Sequence, residues 1–226
     1  MTCYLRMHEI AVAVRRPLGP TDWDDTLRRW REARGVEGRD AALASMPVAA
    51  VDFDDLPDTD LGPFAGLILS GRSDQRLLAG MSAGIEAILE EGGVVVFSGQ
   101  LAGEWLPGTT PFERTGASSA PGPDPLGAGP PQLASPALFD GVDPADVPSL
   151  LYRDGWHRPP SGAQVVARRA DGTPGAYIDR NSTAGTILVH CGPNLLANGT
   201  SASSAARIVP RLVSWVAHAA AGSLSA

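Results

Sequence analysis

A serine and a histidine that each end a short apolar segment are the residues best placed to do chemistry. Ser98 follows VVVF at 94–97, and His190 follows TILV at 186–189. Continuous apolar segments are typical of buried strands in a parallel sheet, whose carboxyl ends gather ligands and catalytic groups. A hydroxyl activated by a histidine base performs acyl transfer. Ser98 and His190 are therefore candidate functional residues, the alternative being a turn serine and a hydrogen-bonded structural histidine.

Polar and aromatic residues that could bind a ligand follow the same predicted strand ends. An arginine can hold a carboxylate or phosphate in bidentate fashion, and a carboxylate beside an indole can bind a polyol or sugar. The candidate ligand-binding residues are Ser70, Gly71, Arg72, Gly99, Gln100, Glu104 and Trp105. Two of them have structural alternatives, because Arg72 could form a surface salt bridge and Trp105 could anchor its loop in the core.

The turn around Ser98 lacks the glycines of a nucleophile elbow. An elbow has glycine two residues before and two residues after the nucleophile, and Val96 and Gln100 occupy these positions. The 18 basic residues are all arginine. A Schiff-base lysine, a P-loop lysine and a lysine general base are therefore excluded as catalytic groups.

The sequence predicts no metal site and no cofactor. A metal would require His157, His190 and carboxylates to converge, and the chain has no HxH or HExxH spacing. The acidic loop at 52–60 could ligate a hard cation, but we interpret it as a solvated loop. The pair Trp156-His157 is predicted to lie in a loop that could cover the pocket.

Composition favours one globular domain that binds neither nucleic acid nor membranes. The chain has 226 residues and a net charge of −7, and no apolar segment reaches the ~18 residues that a membrane span needs. The negative charge argues against nucleic acid or an anionic membrane as the partner. The N-terminus shows no signal-peptide pattern, so the expected location is the cytoplasm. The two distant cysteines, Cys3 and Cys191, need no disulfide there.

Alternating strand and helix patterns predict the secondary structure. The predicted strands are 8–14, 48–53, 66–69, 94–97, 164–168, 176–179 and 186–190. The predicted helices are 21–35, 74–91 and 201–221, with Pro210 as a kink or as the true start of the last one. Asp171-Gly172 predicts a hairpin turn between two of the late strands.

These elements predict a single domain over residues 1–226 with an α/β fold. We expect a three-layer α/β/α arrangement around a doubly wound, mostly parallel sheet, with an appended antiparallel hairpin. The Pro/Gly-rich segment at about 107–136 is predicted to be a flexible insertion.

Three of the strand ends resemble the class I glutamine amidotransferase-like superfamily. GLILSGRSD at 66–74, VVVFSGQ at 94–100 and TILVHCG at 186–192 occur in the order of that fold. The helix-Gly-Gly-strand pattern and the hairpin before the final strand are most similar to its ThuA-like branch. The resemblance covers roughly residues 48–220 and implies a flavodoxin-like fold. It also implies that Ser98 stands at the nucleophile position and His190 at the position of the general base.

The chain departs from the catalytic pattern of that superfamily at two positions. The resemblance implies a cysteine where Ser98 stands, and a glutamate two residues after the histidine, where this chain has Gly192. The implied function is a non-glutaminase protein that binds a small polar metabolite or serves as an accessory protein. One alternative is a hydrolase or amide-processing enzyme that uses Ser98 and His190, with an acid from Glu104 or elsewhere. The other is a structural partner in a protein complex, and the sequence leaves a homo-oligomer open.

Overall fold

The computed structural model describes seven segments of the chain. They are residues 9–14, 48–69, 73–114, 130–147, 150–151, 155–200 and 202–223. The predicted helix at 21–35 and the turn Ser70-Gly71-Arg72 lie outside the described residues. Among the helices that are described, none is both long enough and apolar enough to cross a membrane.

Most of the strands belong to one mixed sheet. Its members are β1 Glu9–Val14, β2 Val48–Asp52, β3 Phe64–Leu69, β4 Val94–Ser98, β6 Gln132–Leu133, β8 Gln164–Arg168, β9 Pro174–Asp179 and β10 Thr186–His190. Their spatial order is β2-β1-β3-β4-β10-β9-β8-β6. Two short strands, β5 Glu113–Arg114 and β7 Gly155–Trp156, form a separate antiparallel pair.

The sheet changes from parallel to antiparallel pairing at β10. The strands β2, β1, β3, β4 and β10 run parallel to their neighbours in that order. Beyond β10, the pairs with β9, β8 and β6 are antiparallel. The strands β8 and β9 are joined through Asp171-Gly172, where the sequence predicts a hairpin. A mostly parallel sheet combined with helices makes this an α/β fold, as predicted.

The helices differ from the predicted ones by a break within one of them and by a later start of the last one. The helices are α1 Gln75–Gly80, α2 Ser82–Glu90, α3 Pro136–Phe139 and α4 Ile208–Ser223. The predicted helix at 74–91 is divided at Met81, whose φ of −103° and ψ of 7° depart from helical values. Asp74 caps α1 by accepting a hydrogen bond from the backbone N–H of Arg76.

The last helix begins later than the predicted range of 201–221. A 3-10 helix at Ser204–Arg207 precedes α4, and Pro210 is the third residue of α4. A proline in the first turn removes an N–H that would have no intrahelical partner. Pro210 therefore marks the start of the helix, which was one of the two predicted possibilities.

Apolar side chains cover both faces of the sheet. Along β4, Val96 belongs to the apolar cluster that includes Val216 of α4. The next residue, Phe97, belongs to a second cluster that includes Leu89 of α2. Side chains alternate between faces along a strand, so the two clusters lie on opposite sides of the sheet. This double burial explains why the parallel strands are apolar at every position.

The predicted insertion at 107–136 contains two short strands at its ends. Glu113–Arg114 pairs with Gly155–Trp156, and Gln132–Leu133 adds to the edge of the main sheet beside Arg168. Pairing with neighbouring strands satisfies the backbone N–H and C=O groups of these two segments, although the sequence around them is polar and rich in glycine and proline. These pairs give regular structure near both ends of the segment, and its predicted flexibility stays a prediction because residues 115–129 lie outside the described part.

Replacing Gly66 by alanine should destabilise the fold. A Cβ on Gly66 of β3 would lie 2.6 Å from Cγ1 of Val216 and 3.0 Å from the carbonyl oxygen of Val94. Overpacking of this kind costs about 1–3 kcal/mol, which urea unfolding of the Gly66→Ala variant would measure. Gly222→Ala is the matched control, because a Cβ there meets no atom within 4 Å. An unchanged stability of Gly66→Ala would contradict the close approach of α4 to β3.

Candidate functional site

Ser98 and His190 lie side by side at the carboxyl ends of β4 and β10. The two strands are parallel neighbours, and their register pairs Ser98 directly with His190. Because side chains alternate along a strand, both residues point to the face that carries Val96 and Leu188. Ser98 is 1% exposed and His190 is 0% exposed. The structure thus places the predicted pair together, in the protein interior rather than in an open cleft.

The imidazole of His190 is not arranged as the base of a catalytic pair. Neither ring nitrogen has a hydrogen-bond partner among the described residues, so the hydroxyl of Ser98 does not donate to it. No described carboxylate is hydrogen-bonded to the ring either. The backbone of Leu150 lies near enough to act on the pKa of His190, although its geometry is not that of a hydrogen bond.

Gly192 stands where the resemblance implies an orienting glutamate, and it leaves no room for a side chain. A Cβ on residue 192 would lie 1.9 Å from the carbonyl oxygen of Leu150 and 2.7 Å from Nε2 of His190. Real Cβ atoms do not approach other heavy atoms this closely. A carboxylate could enter this position only if the segment around Leu150 moved away.

Burial makes His190 a neutral residue at physiological pH. Loss of solvation and, to a smaller extent, the nearby His157 lower the pKa of His190, which is about 4 when every effect is included. The backbone of Leu150 opposes this shift. Burial without hydrogen bonds costs free energy at both ring nitrogens, and an imidazole that stays uncharged down to about pH 4 is a poor proton acceptor at neutral pH.

His157 connects the turn after β4 to a second loop. Its Nε2 lies 2.9 Å from the carbonyl oxygen of Gly99, and its Nδ1 lies 3.1 Å from that of Thr110. A neutral imidazole carries one N–H and can donate to only one of these carbonyls, whereas an imidazolium donates to both. Burial lowers the pKa of His157, and the two carbonyl contacts oppose that shift. The ring also packs edge-on against Phe112, with centroids 5.2 Å apart.

The turn after Ser98 is built on backbone hydrogen bonds. The N–H of Gly99 donates to the carbonyl oxygen of His190 at 2.9 Å. The φ of Gly99 is +141°, in the region that only glycine adopts readily. Gly99 therefore continues the pairing of β4 with β10 and presents its own carbonyl to His157. Its contacts are with the protein, and its backbone is buried.

Gln75 organises the loop at 100–105, which contains three of the seven predicted ligand-binding residues. Its Nε2 donates to the carbonyl oxygen of Gln100. Its Oε1 accepts from the N–H of Ala102 at 2.6 Å and from Nε1 of Trp105 at 3.2 Å. The sequence analysis missed Gln75, because its partners lie 25 to 30 residues away along the chain.

Trp105 and Glu104 are adjacent in sequence but differ in their surroundings. Trp105 is 5% exposed and packs edge-to-face on Phe97, with ring centroids 5.4 Å apart. Because its N–H is also bonded to Gln75, the indole anchors the loop in the core, which is the alternative that the sequence left open. Glu104 is exposed, and Gln100 is half-buried. These two are the described candidates that a ligand in solvent could reach.

The remaining reactive side chains do not add a metal or nucleophile site. Cys191 is a buried cysteine whose thiol donates to the carbonyl oxygen of Gly155 at 3.4 Å. Within the described segments, no three or more histidine, cysteine or carboxylate side chains are grouped as metal ligands would be. In the acidic loop at 52–60, carboxylates accept hydrogen bonds from nearby backbone N–H groups. The carboxylate of Asp60, for example, accepts from the N–H of Gly62.

Two buried polar residues on β9 were not predicted. The hydroxyl of Tyr177 and Oδ2 of Asp179 have no hydrogen-bond partner among the described residues, although Oδ1 of Asp179 accepts from the N–H of Asn181. Burial and the negative charge of Asp179 raise the pKa of Tyr177. Tyr177 lies in the same apolar cluster as Phe97, on the face opposite to Ser98 and His190.

Comparisons with known proteins identify no family. No family model matches the chain, and no curated protein matches it. Solved structures that match include a cold-adapted beta-galactosidase from Rahnella sp. R3, with 14% identity and a TM-score of 0.44 over 91% of this chain and 31% of that one. A second is Gan42B, a GH42 beta-galactosidase, with 13% identity and a TM-score of 0.37 over 82% of this chain and 27% of that one. The chain spans less than a third of the length of either structure, and similarity of this extent carries no argument about function.

Removing the side chain of Gln75 should loosen the loop at 100–105. Gln75→Ala leaves the buried N–H of Trp105 without its acceptor, and an unsatisfied buried donor costs about 1–3 kcal/mol. Urea unfolding followed by tryptophan fluorescence measures this loss. Gln100→Ala is the control, because only the backbone carbonyl of Gln100 takes part in the network. Equal stability of the two variants would contradict the role of Gln75.

His190 should remain uncharged when the pH falls below the usual range of histidine. Because its pKa is lower in the folded state than in the unfolded state, the unfolded chain takes up a proton that the native protein does not. The contribution of His190 to the free energy of unfolding is fully present above about pH 6.5. It decreases toward pH 4, by up to about 1.4 kcal/mol per pH unit. Imidazole NMR of the native protein measures the titration of His190 directly. Protonation of native His190 near pH 6.5 would contradict its burial without partners.

Proposed function

We propose that this protein is a non-catalytic member of the class I glutamine amidotransferase-like superfamily, of its ThuA-like branch, that acts by binding a small polar metabolite. The observation that carries the proposal is that the side chains of Ser98 and His190 are buried and are not hydrogen-bonded to each other. Both side chains are at most 1% exposed, and neither nitrogen of His190 has a hydrogen-bond partner among the described residues.

The strand order supports the flavodoxin-like part of this proposal. The five parallel strands lie in the order β2-β1-β3-β4-β10, which counts as 2-1-3-4-5 along the parallel series. That order is one of the two common ones in doubly wound sheets, and flavodoxin-like proteins have it. Apolar clusters on both faces of the sheet agree with a three-layer α/β/α arrangement.

The geometry argues against the hydrolase alternative. A serine nucleophile needs a base within hydrogen-bond reach, and the base needs a group that orients it. The hydroxyl of Ser98 makes no hydrogen bond to His190, and Gly192 cannot be replaced by a carboxylate without displacing Leu150. Burial also lowers the pKa of His190 to about 4, which makes it a weak base. A substrate would have no access to either residue.

A metabolite would instead bind at the outer rim of the same sheet edge. Exposed Glu104 supplies a carboxylate for hydroxyl or ammonium groups, and half-buried Gln100 supplies an amide. The loop that carries both is held in place by Gln75. A rim held in this way is organised before a ligand arrives, which reduces the entropy cost of binding.

Activity measurements test the non-catalytic part of the proposal. We expect no ammonia release from glutamine, no hydrolysis of p-nitrophenyl acetate above the Ser98→Ala background, and no labelling of Ser98 by a fluorophosphonate. The reason is that a buried hydroxyl without a base is neither accessible nor activated. Turnover that disappears in both Ser98→Ala and His190→Ala would overturn the proposal in favour of an enzyme.

Thermal unfolding with a panel of sugars, polyols and amino acids tests the binding part. A compound that binds the native protein raises its melting temperature by mass action. We expect at least one compound to do so, with the effect lost in Glu104→Gln and kept in Glu90→Gln, a control on the exposed side of α2. A protein stabilised by none of them, or equally in Glu104→Gln, would contradict a metabolite site at this rim.

A further inference from the structure

A buried aspartate at the end of β9, Asp179, has no cationic partner within the described segments. It is 2% exposed, and its Oδ1 accepts from the backbone N–H groups of Asn181 at 2.9 Å and Ser182 at 3.3 Å. Its other oxygen, Oδ2, is buried and has no hydrogen-bond partner among the described residues. The adjacent Arg180 donates to the side chain of Gln164 at 3.5 Å instead. A buried charge is costly unless a group of opposite charge offsets it, and Oδ2 is free to bind one.

Two further hydroxyl groups of the same segment are buried without a hydrogen-bond partner in the described structure. Tyr177 precedes Asp179 by two residues on β9, so both side chains lie on the same face of the sheet. The charge of Asp179 raises the pKa of Tyr177, yet the two side chains are not hydrogen-bonded to each other. The second hydroxyl is that of Thr183, in the turn between β9 and β10. These oxygens can therefore share a ligand with the carboxylate.

The loop after β4 passes over Asp179 at a glycine. Gly108 has a φ of +68°, and a Cβ there would lie 2.9 Å from Oδ2 of Asp179 and would collide with the side chain of Ser182. Leu106, two residues earlier, is buried in the same apolar cluster as Tyr177. Gly108 and Ser182 are themselves exposed, so solvent lies close to the buried carboxylate. A small ion has only a short path from solvent to Oδ2.

The donor atoms indicate the class of ligand. All of them are oxygens of carboxylate, phenol or hydroxyl groups, which suit hard cations better than the softer transition metals. No described histidine, cysteine or second carboxylate joins Asp179 in a group of metal ligands. Its single negative charge is balanced by one monovalent cation, whereas calcium sites commonly draw on several carboxylates. A water molecule could bind the same oxygens, but it would not offset the charge of the carboxylate.

We propose that residues 177–183 of β9 and the following turn form a binding site for a monovalent metal cation, sodium or potassium. Oδ2 of Asp179 supplies the negative charge, and the phenol oxygen of Tyr177 and the hydroxyl of Thr183 supply neutral ligands. The bound cation stabilises the contact of the loop at Gly108 with this turn. The site lies on the face of the sheet opposite to the candidate functional site and does not depend on the proposed function.

Thermal unfolding of the full-length chain in matched salts tests this site. Sodium chloride and potassium chloride are compared with tetramethylammonium chloride at equal ionic strength, so that general charge screening is the same in all three. We expect the melting temperature to be higher in sodium or potassium chloride, because a cation that binds only the native protein stabilises it by mass action. Broadening of the ²³Na NMR line by the native protein, reversed by excess potassium, measures the binding directly.

Three variants connect this effect to the proposed ligands. Asp179→Asn keeps the shape of the side chain and removes its charge, so the difference between the salts should disappear. Tyr177→Phe keeps the ring in the core and removes one ligand oxygen, so the Kd for the cation should rise by about tenfold or more. Asp54→Asn is the matched control, because it makes the same charge change at an exposed residue outside the site. It should respond to the salts as the natural chain does.

Three results would overturn the site. They are equal melting temperatures of the natural chain in the three salts, a sodium or potassium effect that Asp179→Asn retains, and an affinity that Tyr177→Phe leaves unchanged. If Asp179→Asn does not fold, the NMR titrations of the natural chain and of Tyr177→Phe decide. Selective stabilisation by calcium or magnesium chloride, without an effect of sodium or potassium, would overturn the assignment to a monovalent cation.

Discussion

The parallel pairing of β4 with β10 is the constraint on which the candidate site depends. It places Ser98 opposite His190, and the N–H of Gly99 continues the pairing by donating to the carbonyl oxygen of His190. On its other side, β10 pairs antiparallel with β9. The strand is therefore held on both edges inside the sheet. The position of His190 follows from the register of three strands and not from any bond made by its own side chain.

Neighbouring segments cover this edge of the sheet. Their cover explains why Ser98 and His190 resemble a catalytic pair but are not arranged as one. The carbonyl oxygen of Leu150 lies against Gly192, and the imidazole of His157 contacts the carbonyl oxygen of Gly99. A polar pair that is cut off from solvent and has no orienting carboxylate lacks the features that acyl transfer needs. The buried, neutral imidazole of His190 also makes the stability of the fold sensitive to acid.

The strand-level architecture could be predicted from the sequence, because its signals are local. Continuous apolar segments such as VVVF at 94–97 and the turn at Asp171-Gly172 indicate strands and a hairpin without any knowledge of the rest of the chain. The placement of Ser98 and His190 at one edge of the sheet was also predictable, since parallel strands end at the same edge. Their direct pairing depends on the order of the strands, which the sequence did not indicate. The strand pairing at Glu113–Arg114 was not predictable, because a two-residue strand in a polar segment forms only when its partner is already in place.

The details of the site could not be predicted, because they arise from contacts between distant segments. Gln75 is an ordinary first-turn helix residue in the sequence, and only the fold brings Ala102 and Trp105 to its amide. The burial of His190 likewise depends on Leu150, which lies 40 residues earlier in the chain. The turn Ser70-Gly71-Arg72 lies outside the described residues and stays a prediction.

Gln75 makes α1 part of the structure that holds the loop at 100–105. It is the first residue of this helix, and three hydrogen bonds join its amide to Gln100, Ala102 and Trp105. Trp105 in turn packs on Phe97 of β4, the strand that ends at Ser98. A ligand that displaced this loop would therefore have to break its hydrogen bonds to α1 and its packing on β4 together, so the loop is fixed by the same contacts that join the helix to the sheet.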